Sequence, residues 1–483
     1  MLVILGFSMV TAFMYLIMTK RVTPVAALIL VPTIFGLFAG AGLGLSDMIK
    51  EALLKLAPTA ALLFFAITFF GIMIDVGLFD PLIRLILRFV KNDPMRLVVG
   101  TALLTSIVSL DGDGSTTFII VTSAFLPIYL KLRMSPVVLT VVTATANGVL
   151  NTVPWGGSTA RAAAALNISP IDIFVPMIPA ILAGIVAVLV LAYFLGRRER
   201  KRVGRLSLSG TEAKGVEVES IRMQAEQLAT VATTASTASS APTASGEVGT
   251  GGSSDSHEDR GDFAELPSDA QAGLHRPKAR PKLVWLNFAL TAAVMTALVW
   301  GIVEPPLILM LGVAIALVVN FPRVAEQAEQ LKAHASSVVS VVAMVFAASV
   351  LTGVLNGTGM VDAMAAWMVH IIPSSFGPHL AIVAGLLSLP LTFFMSNDAF
   401  FFGVLPVLTE AASHYGISSE EMARASIIGQ PLHTSSPLVA SFLLLVGLAK
   451  VELGDHHKKA IWRASVVGLV MLTVGVLTTA YPF

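Results

Sequence analysis

The sequence predicts an all-α polytopic membrane protein: two inverted-topology repeats of about five spans each, with a re-entrant hairpin and a broken helix per repeat. Three observations predict it. Of 483 residues, 55% are hydrophobic and only 13% charged, where soluble domains carry about a quarter charged residues. Apolar runs near the length needed to cross a bilayer, about 20 residues, recur on both sides of a polar centre. Four further apolar stretches, 97–131, 136–166, 377–411 and 422–449, are interrupted by Gly, Pro and polar residues in the same order in each half.

The uninterrupted runs fall at 2–18, 24–44, 57–79 and 172–196, then at 283–302, 305–321, 335–357 and 459–480. The first lacks a basic leader and a small-residue cleavage site, so it reads as a span that stays. Between the halves, "RRERKR" leads into "TASTASSAPTASGEVGTGGSSDSHEDRGD". That composition buries too little apolar surface to fold and reads as a disordered linker. The expected division is therefore an N-terminal transmembrane repeat over 1–196, a linker over 197–282 and a C-terminal repeat over 283–483. A chain with no cysteine has no disulfides and no thiolate metal site. Its net charge of +1 gives no footprint for nucleic acid.

The halves resemble one another. "GIMIDVGLFDPL" (71–82) aligns with "GVLNGTGMVDAM" (353–364), matching Gly71 to Gly353, Gly77 to Gly359 and Asp80 to Asp362. Basic residues set the expected orientation. Lys20, Arg21, Arg84, Arg88, Lys91, Arg96, Lys131 and Arg133 fall on one face with the "RRERKR" run and with Arg323, Lys332, Lys450, Lys458 and Lys459. The positive-inside rule then places both termini outside and the linker in the cytoplasm. An odd number of spans per half inverts the second copy, an arrangement typical of secondary transporters.

The interruptions supply the candidate site. In "SLDGDGSTTF" (109–118), two aspartates sit between apolar flanks. An ionised Asp at mid-bilayer costs about 2.5–3.5 kcal/mol even on lenient scales. A turn at that depth is tolerated only under protein cover or along a watery cavity. Residues 97–131 and 377–411 therefore read as re-entrant hairpins, with tips at Asp111–Thr117 and at Ser396, Asn397 and Asp398. Segments 151–159 and 430–436 read as helices unwound halfway across. Asp111, Asp113 and Asp398 are candidates for cation or proton binding, with Ser115, Thr116 and Thr117 completing an oxygen shell. Asn151, Thr152, Gly156, Gly157, Ser158, Thr159, Ser396, Asn397, Gln430, Ser435 and Ser436 are candidate substrate-binding residues, with helix N-termini beside them to receive carboxylates. His433 is a candidate proton relay, and Arg161 a candidate carboxylate clamp.

Plainer readings stand beside these. Asn151 and Gln430 would serve equally as interhelical hydrogen-bond glue. Arg161 would pair with Asp172 or snorkel outward, His433 and Trp155 would be packing residues, and Asp398 would cap a helix. Asp75 reads as an interface residue. His456 and His457, beside two lysines, read as residues of the cytoplasmic face.

The motifs "MTKRVTPVAALILVP", "FFGIMIDVGLFDPL", "LDGDGSTT", "NTVPWGGSTAR", "MSNDAFFFGVLP" and "GQPLHTSSPLV" resemble those of the citrate–divalent metal–proton symporter (CitMHS) family, in family order and over both halves. The resemblance implies import of citrate complexed with a divalent cation, of Mg²⁺ or Ca²⁺ type, with H⁺ as the coupling ion and no further cofactor. It also implies a bacterial inner-membrane location, a homodimer, and a fold similar to the elevator-type dicarboxylate transporters. Ser158 stands where the family commonly has proline, and Thr434 and Ser435 where larger apolar residues are frequent. The rival carrier is a Na⁺-coupled di- or tricarboxylate transporter. A channel is a separate class. A membrane enzyme would need a nucleophile or metal motif, and neither G-x-S-x-G nor H-E-x-x-H occurs.

Overall fold

The computed structural model describes residues 1–19, 21–90, 93–112, 114–203, 278–301, 303–371 and 375–483. Proline opens several helices, at positions 24, 94, 136 and 305, where its missing N–H is not needed. Asp93 caps the second of these, accepting from Met95 N at 3.1 Å.

In the first half, α1 (Leu2–Met18), α2 (Pro24–Phe38) and α3 (Leu45–Asp75) precede a short α4 (Asp80–Val90). The hairpin arms α5 (Pro94–Val108) and α6 (Gly114–Lys131) follow, then the split pair α7 (Pro136–Leu150) and α8 (Gly157–Leu166), and the long α9 (Pro170–Val203). The second half runs through α10 (Val284–Trp300), α11 (Pro305–Asn320), α12 (Val324–Ala333), α13 (Ala335–Gly357) and α14 (Met360–Ile371). Its hairpin arms are α15 (Leu380–Phe394) and α16 (Leu405–Ser413). Its split helix is α17 (Ser419–Ser426), α18 (Gln430–His433) and α19 (Ala440–Leu448), and α20 (Leu453–Leu477) closes the chain. Seven helices among the described residues are long and apolar enough to cross a membrane. No strand occurs among the described residues.

These helices pack as two groups. α3 lies against α13 and α11, α2 against α13, and α1 against α14. In the other group α9 packs on α5 and α20, and α7 on α5 and α9. The groups meet where α8 touches α13 and α16 touches α14. Within the first group, Asn287 and Asn320 exchange amide hydrogen bonds of 2.8 and 2.9 Å in a fully buried setting. Such neutral pairs join helices where water is absent. Asp75, at the end of α3, accepts from Gln330 and lies 3.1 Å from His334 Nε2, tying α3 to the α12–α13 corner.

In the second group the two split helices cross. A Cβ on Gly148 would fall 2.5 Å from the Gln430 carbonyl oxygen and 2.6 Å from Pro431 Cα, so only glycine lets α7 approach α18 this closely. Thr434 Oγ1 donates to Ala144 O across the same crossing at 2.8 Å.

Several expected boundaries move. Residues 197–203 continue α9 instead of opening the linker. Glu199 holds that end in place by accepting from Ser135 N at 3.1 Å and pairing with Arg202 at 2.7 Å. On the far side, Arg280 N donates to Val76 O at 2.9 Å and Arg280 Nε to Asn320 O at 3.0 Å, so residues just before α10 are packed, not loose. The rest of the expected linker, 204–277, lies outside the described residues. The aligned glycines Gly77 and Gly359 adopt the same left-handed turn, with φ of +80° and +70°, after α3 and α13.

Candidate functional site

The site grows from the two interruptions and the second hairpin tip. A chain that leaves helical geometry inside an apolar body must satisfy its freed backbone groups locally. At the first interruption the side chains do this. Ser158 Oγ donates to Asn151 O at 2.8 Å, Thr159 Oγ1 to Thr152 O at 3.0 Å, and Thr152 Oγ1 to Val149 O at 2.6 Å. All three hydroxyl residues are fully buried. They hold the turn, and none of the three lines the cavity described below. Gly156 packs against the Asn151 carbonyl and has no room for a side chain. The unwound stretch is shorter than expected, because α8 already begins at Gly157.

The second interruption lies later than expected. Gln430 and His433 are still helical, and the chain opens over 434–439. Ser436 Oγ donates to Phe393 O at 2.6 Å, and Ser435 Oγ lies 3.1 Å from His456 Nε2. Both serines are fully buried and turned away from the cavity described below. His456 is a correction too. It is buried between Thr140 and Ser435, at 3.0 and 3.1 Å, not displayed on a membrane face.

What remains encloses a cavity of about 250 Å³, lined by Asn151, Gly157, Arg161, Ser396, Asn397, Asp398, His433, Leu438 and Val439. Three amides knit its floor. Asn151 Nδ2 donates to Gln430 Oε1 at 2.9 Å, and Gln430 exchanges bonds of 3.2 and 3.1 Å with Asn397. Asn151 Oδ1 also accepts from Gly157 N at 3.0 Å, at the start of α8. The glue reading of Asn151 and Gln430 therefore holds, and Asn151 additionally faces the cavity.

The charge in the cavity is a pair. Arg161 Nε donates to Asp398 Oδ1 at 2.5 Å, and Arg161 Nη1 to Gly157 O at 2.8 Å. These partners come from opposite halves, 237 residues apart. Asp172, the expected alternative partner, instead offers its backbone carbonyl to Arg424 at 2.8 Å. Ser396 Oγ accepts from Ala399 N at 3.2 Å at the tip, and a π-helical stretch, Ala399–Val404, follows. Such π turns concentrate at functional sites, and nothing in the sequence pattern announced this one. His433 Nδ1 lies 2.6 Å from Thr392 O. A carbonyl only accepts, so Nδ1 carries the proton, and Nε2 has no hydrogen-bond partner among the described residues.

The first hairpin tip is built differently. α5 ends in a 3₁₀ turn at Ser109–Asp111, and α6 begins at Gly114, so Ser115, Thr116 and Thr117 form its first helical turn. Asn147 Nδ2 donates to Ser109 Oγ at 3.0 Å, and Ser109 Oγ to Thr117 Oγ1 at 3.4 Å. Ser115 and Thr116 are half-buried beside them. The Asp111 side chain and all of Asp113 lie outside the described residues. Trp155 is a packing residue that also braces this tip. Its ring stacks on Phe70 at 4.2 Å, and its Nε1 donates to Leu110 O at 2.7 Å. Among the described residues no three His, Asp or Glu side chains cluster as a metal centre.

Interrupted helices, hairpin tips and a small charged cavity within a bundle of apolar membrane-length helices define a multi-pass membrane transport protein. Residues 13–429 match the profile of the CitMHS family, described as citrate transporter, and the chain belongs to that family. It is 44% identical over 482 residues to a "Citrate transporter" of Bacillus subtilis (strain 168), covering 99% of this chain and 100% of that one. It is 42% identical over 481 residues to the "Mg(2+)/citrate complex secondary transporter" of the same organism, covering 99% of both. An "Uncharacterized transporter YraO", also from that organism, is 41% identical over 484 residues, with 99% of both chains covered. Among solved structures the chain resembles the Alcanivorax borkumensis YdaH transporter, with TM-score 0.52 and 16% identity over 90% of this chain and 88% of that one. That likeness concerns the fold alone.

Proposed function

We propose that this citrate transporter family member imports citrate as a complex with a divalent metal ion, of Mg²⁺ or Ca²⁺ type, in symport with protons. The observation that carries the reading is the Arg161–Asp398 pair in the cavity wall. Free citrate bears about three negative charges at neutral pH, and moving it bare through a low-dielectric core is costly. Pairing with a divalent cation leaves a ligand with a cationic and an anionic side. Arg161, together with the N-terminus of α8, suits the carboxylates. Asp398 suits the metal or a proton once Arg161 turns to the substrate. Asn151, Asn397 and Ser396 supply neutral donors and acceptors around the ligand. Asp111 and Asp113 at the first tip are assigned to cation or proton exchange on the sequence pattern. His433 Nε2 is a further proton acceptor beside the cavity.

The relative named for a Mg²⁺/citrate complex, at 42% identity, supports the same substrate. The inverted relation of the two halves, the homodimer, the inner-membrane location with both termini outside, and the cytoplasmic linker belong to this proposal as well.

The test is uptake of labelled citrate by proteoliposomes, with and without each divalent metal and across an imposed pH gradient. Uptake should require one of the metals and rise with an inward proton gradient. Uptake that ignores the metal and requires Na⁺ would reject the reading in favour of a Na⁺-coupled carboxylate carrier.

A further inference from the structure

Away from the central cavity, a groove of about 710 Å³ runs along the outer face of α9 and α20. Its walls are aliphatic, with Val186 and Val190 on α9 and Val466 and Val470 on α20. Val186, Val190 and Val466 are each about half exposed, at 58%, 48% and 47%, so in a membrane this face meets lipid. One end of the groove is charged. Arg198 and Arg463 both line it, next to Trp462.

Neither arginine forms an ion pair among the described residues. Arg463 is 93% buried, the complement of its 7% exposure. Its guanidinium sits 4.3 Å above the Trp462 ring centre, and one amino group donates to Lys459 O at 2.5 Å. That backbone bond leaves the charge uncompensated. A buried cation without a counter-charge is costly, and in protein interiors such charges are paired. No carboxylate among the described residues pairs this one. Arg198 marks the end of the apolar stretch of α9, at the start of "RRERKR", and Trp462 is an aromatic of the kind that settles at headgroup depth. Aliphatic walls ending in two guanidiniums with no carboxylate partner among the described residues, and in an interfacial tryptophan, match one chemistry: a phosphate headgroup with hydrocarbon chains behind it. Basic pockets between membrane helices bind anionic lipids in this manner, and the volume falls within the range of small-molecule sites, about 300–1,000 Å³.

We infer that the groove between α9 and α20 is a binding site for an anionic diacyl phospholipid, its phosphate held by Arg463 and Arg198 and its chains laid along the valines. The site lies on the group of helices that also carries the interruptions, so an occupying lipid would brace α9 against α20 behind the cavity.

The test uses the purified full-length protein in detergent, titrated with phosphatidylglycerol or phosphatidylcholine and read by native mass spectrometry. The wild type should retain one phosphatidylglycerol several-fold more tightly than phosphatidylcholine. Arg198→Gln, at an exposed position that does not challenge folding, should weaken the preference about fivefold, the effect of one basic residue near a charged lipid surface. Arg463→Met should weaken it further, and Val190→Trp should reduce retention of both lipids by filling the groove. Equal retention of the two lipids by the wild type overturns the inference, and so does a preference unchanged in Arg198→Gln and Arg463→Met. Glycerol 3-phosphate competing as well as the lipid would mean the groove itself takes no part. Because the chain has no cysteine, Val190→Cys reports the remaining occupant. Disulfide-linked pairs at that position would place a second copy there and overturn the lipid assignment.

Discussion

The two hairpin tips occupy corresponding places in the chain order and are fastened by different chemistry. The second tip brings a carboxylate, Asp398, against Arg161 of the first half and locks Asn397 into an amide exchange with Gln430. The first tip is held by neutral bonds, with Asn147 on Ser109 and Trp155 on Leu110. The second tip is therefore fastened by interactions a charged ligand can compete for. The first is fastened by bonds that a citrate or metal ion would have little reason to break. On the proposed function, this contrast makes the second hairpin the one whose fastening depends on the charged ligand, while the first tip's neutral braces stay in place.

Substitutions can break or sharpen that contrast. The largest effect should come from Arg161→Gln. It removes a charge-assisted bond and leaves Asp398 uncompensated in a mostly buried setting. With charged hydrogen bonds worth about 1.5–3 kcal/mol, citrate uptake in proteoliposomes should fall on the order of 10- to 100-fold. If Arg161→Gln transports normally, the pair is structural and the contrast fails.

Gln430→Leu should follow. It strips a partner from Asn151, which keeps its bond from Gly157 N, and leaves Asn397 stranded, and a stranded buried amide costs about 1–3 kcal/mol. Thermal unfolding of the purified protein should shift down by several degrees, with weaker citrate binding. A stable variant with wild-type affinity would remove the amide floor from the account.

Trp155→Phe keeps an aromatic ring against Phe70 but deletes the bond to Leu110 O and part of the buried indole volume. A single hydrogen bond is worth about 1 kcal/mol, so a small loss of stability and no change in metal dependence are expected. A changed metal dependence would show that the first tip also senses the ligand. The smallest effect belongs to Asn287→Leu, whose partner Asn320 belongs to neither tip, since membrane amide pairs average about 0.6 kcal/mol. Uptake should stay within twofold of the wild type.

Much of this was legible in the sequence, because polar residues in apolar surroundings mark backbone that must leave the helix. "LDGDGSTT", "NTVPWGG" and "MSND" all fall at or beside turns. What did not read through was the purpose of each hydroxyl. Thr152, Ser158, Thr159, Ser435 and Ser436 look like ligands on paper, yet their donors close freed carbonyls or meet a buried imidazole. An oxygen that satisfies the backbone and one that meets a substrate are the same letter in a sequence. The Arg161–Asp398 pair was hidden because it joins residues 237 apart, while Asp172 lay temptingly near. The π turn after Asp398 was hidden as well, since "AFFFGV" carries an ordinary helical pattern.

The central claim is that the cavity meets a ligand that is anion and cation together, with Asp398 on the cation's side. Citrate uptake by Asp398→Asn, titrated with Mg²⁺ and Ca²⁺ beside the wild type, tests it most directly. The account predicts that uptake drops at least about tenfold and that the remainder no longer rises with added metal. A variant that keeps both the rate and the metal dependence of the wild type would contradict it.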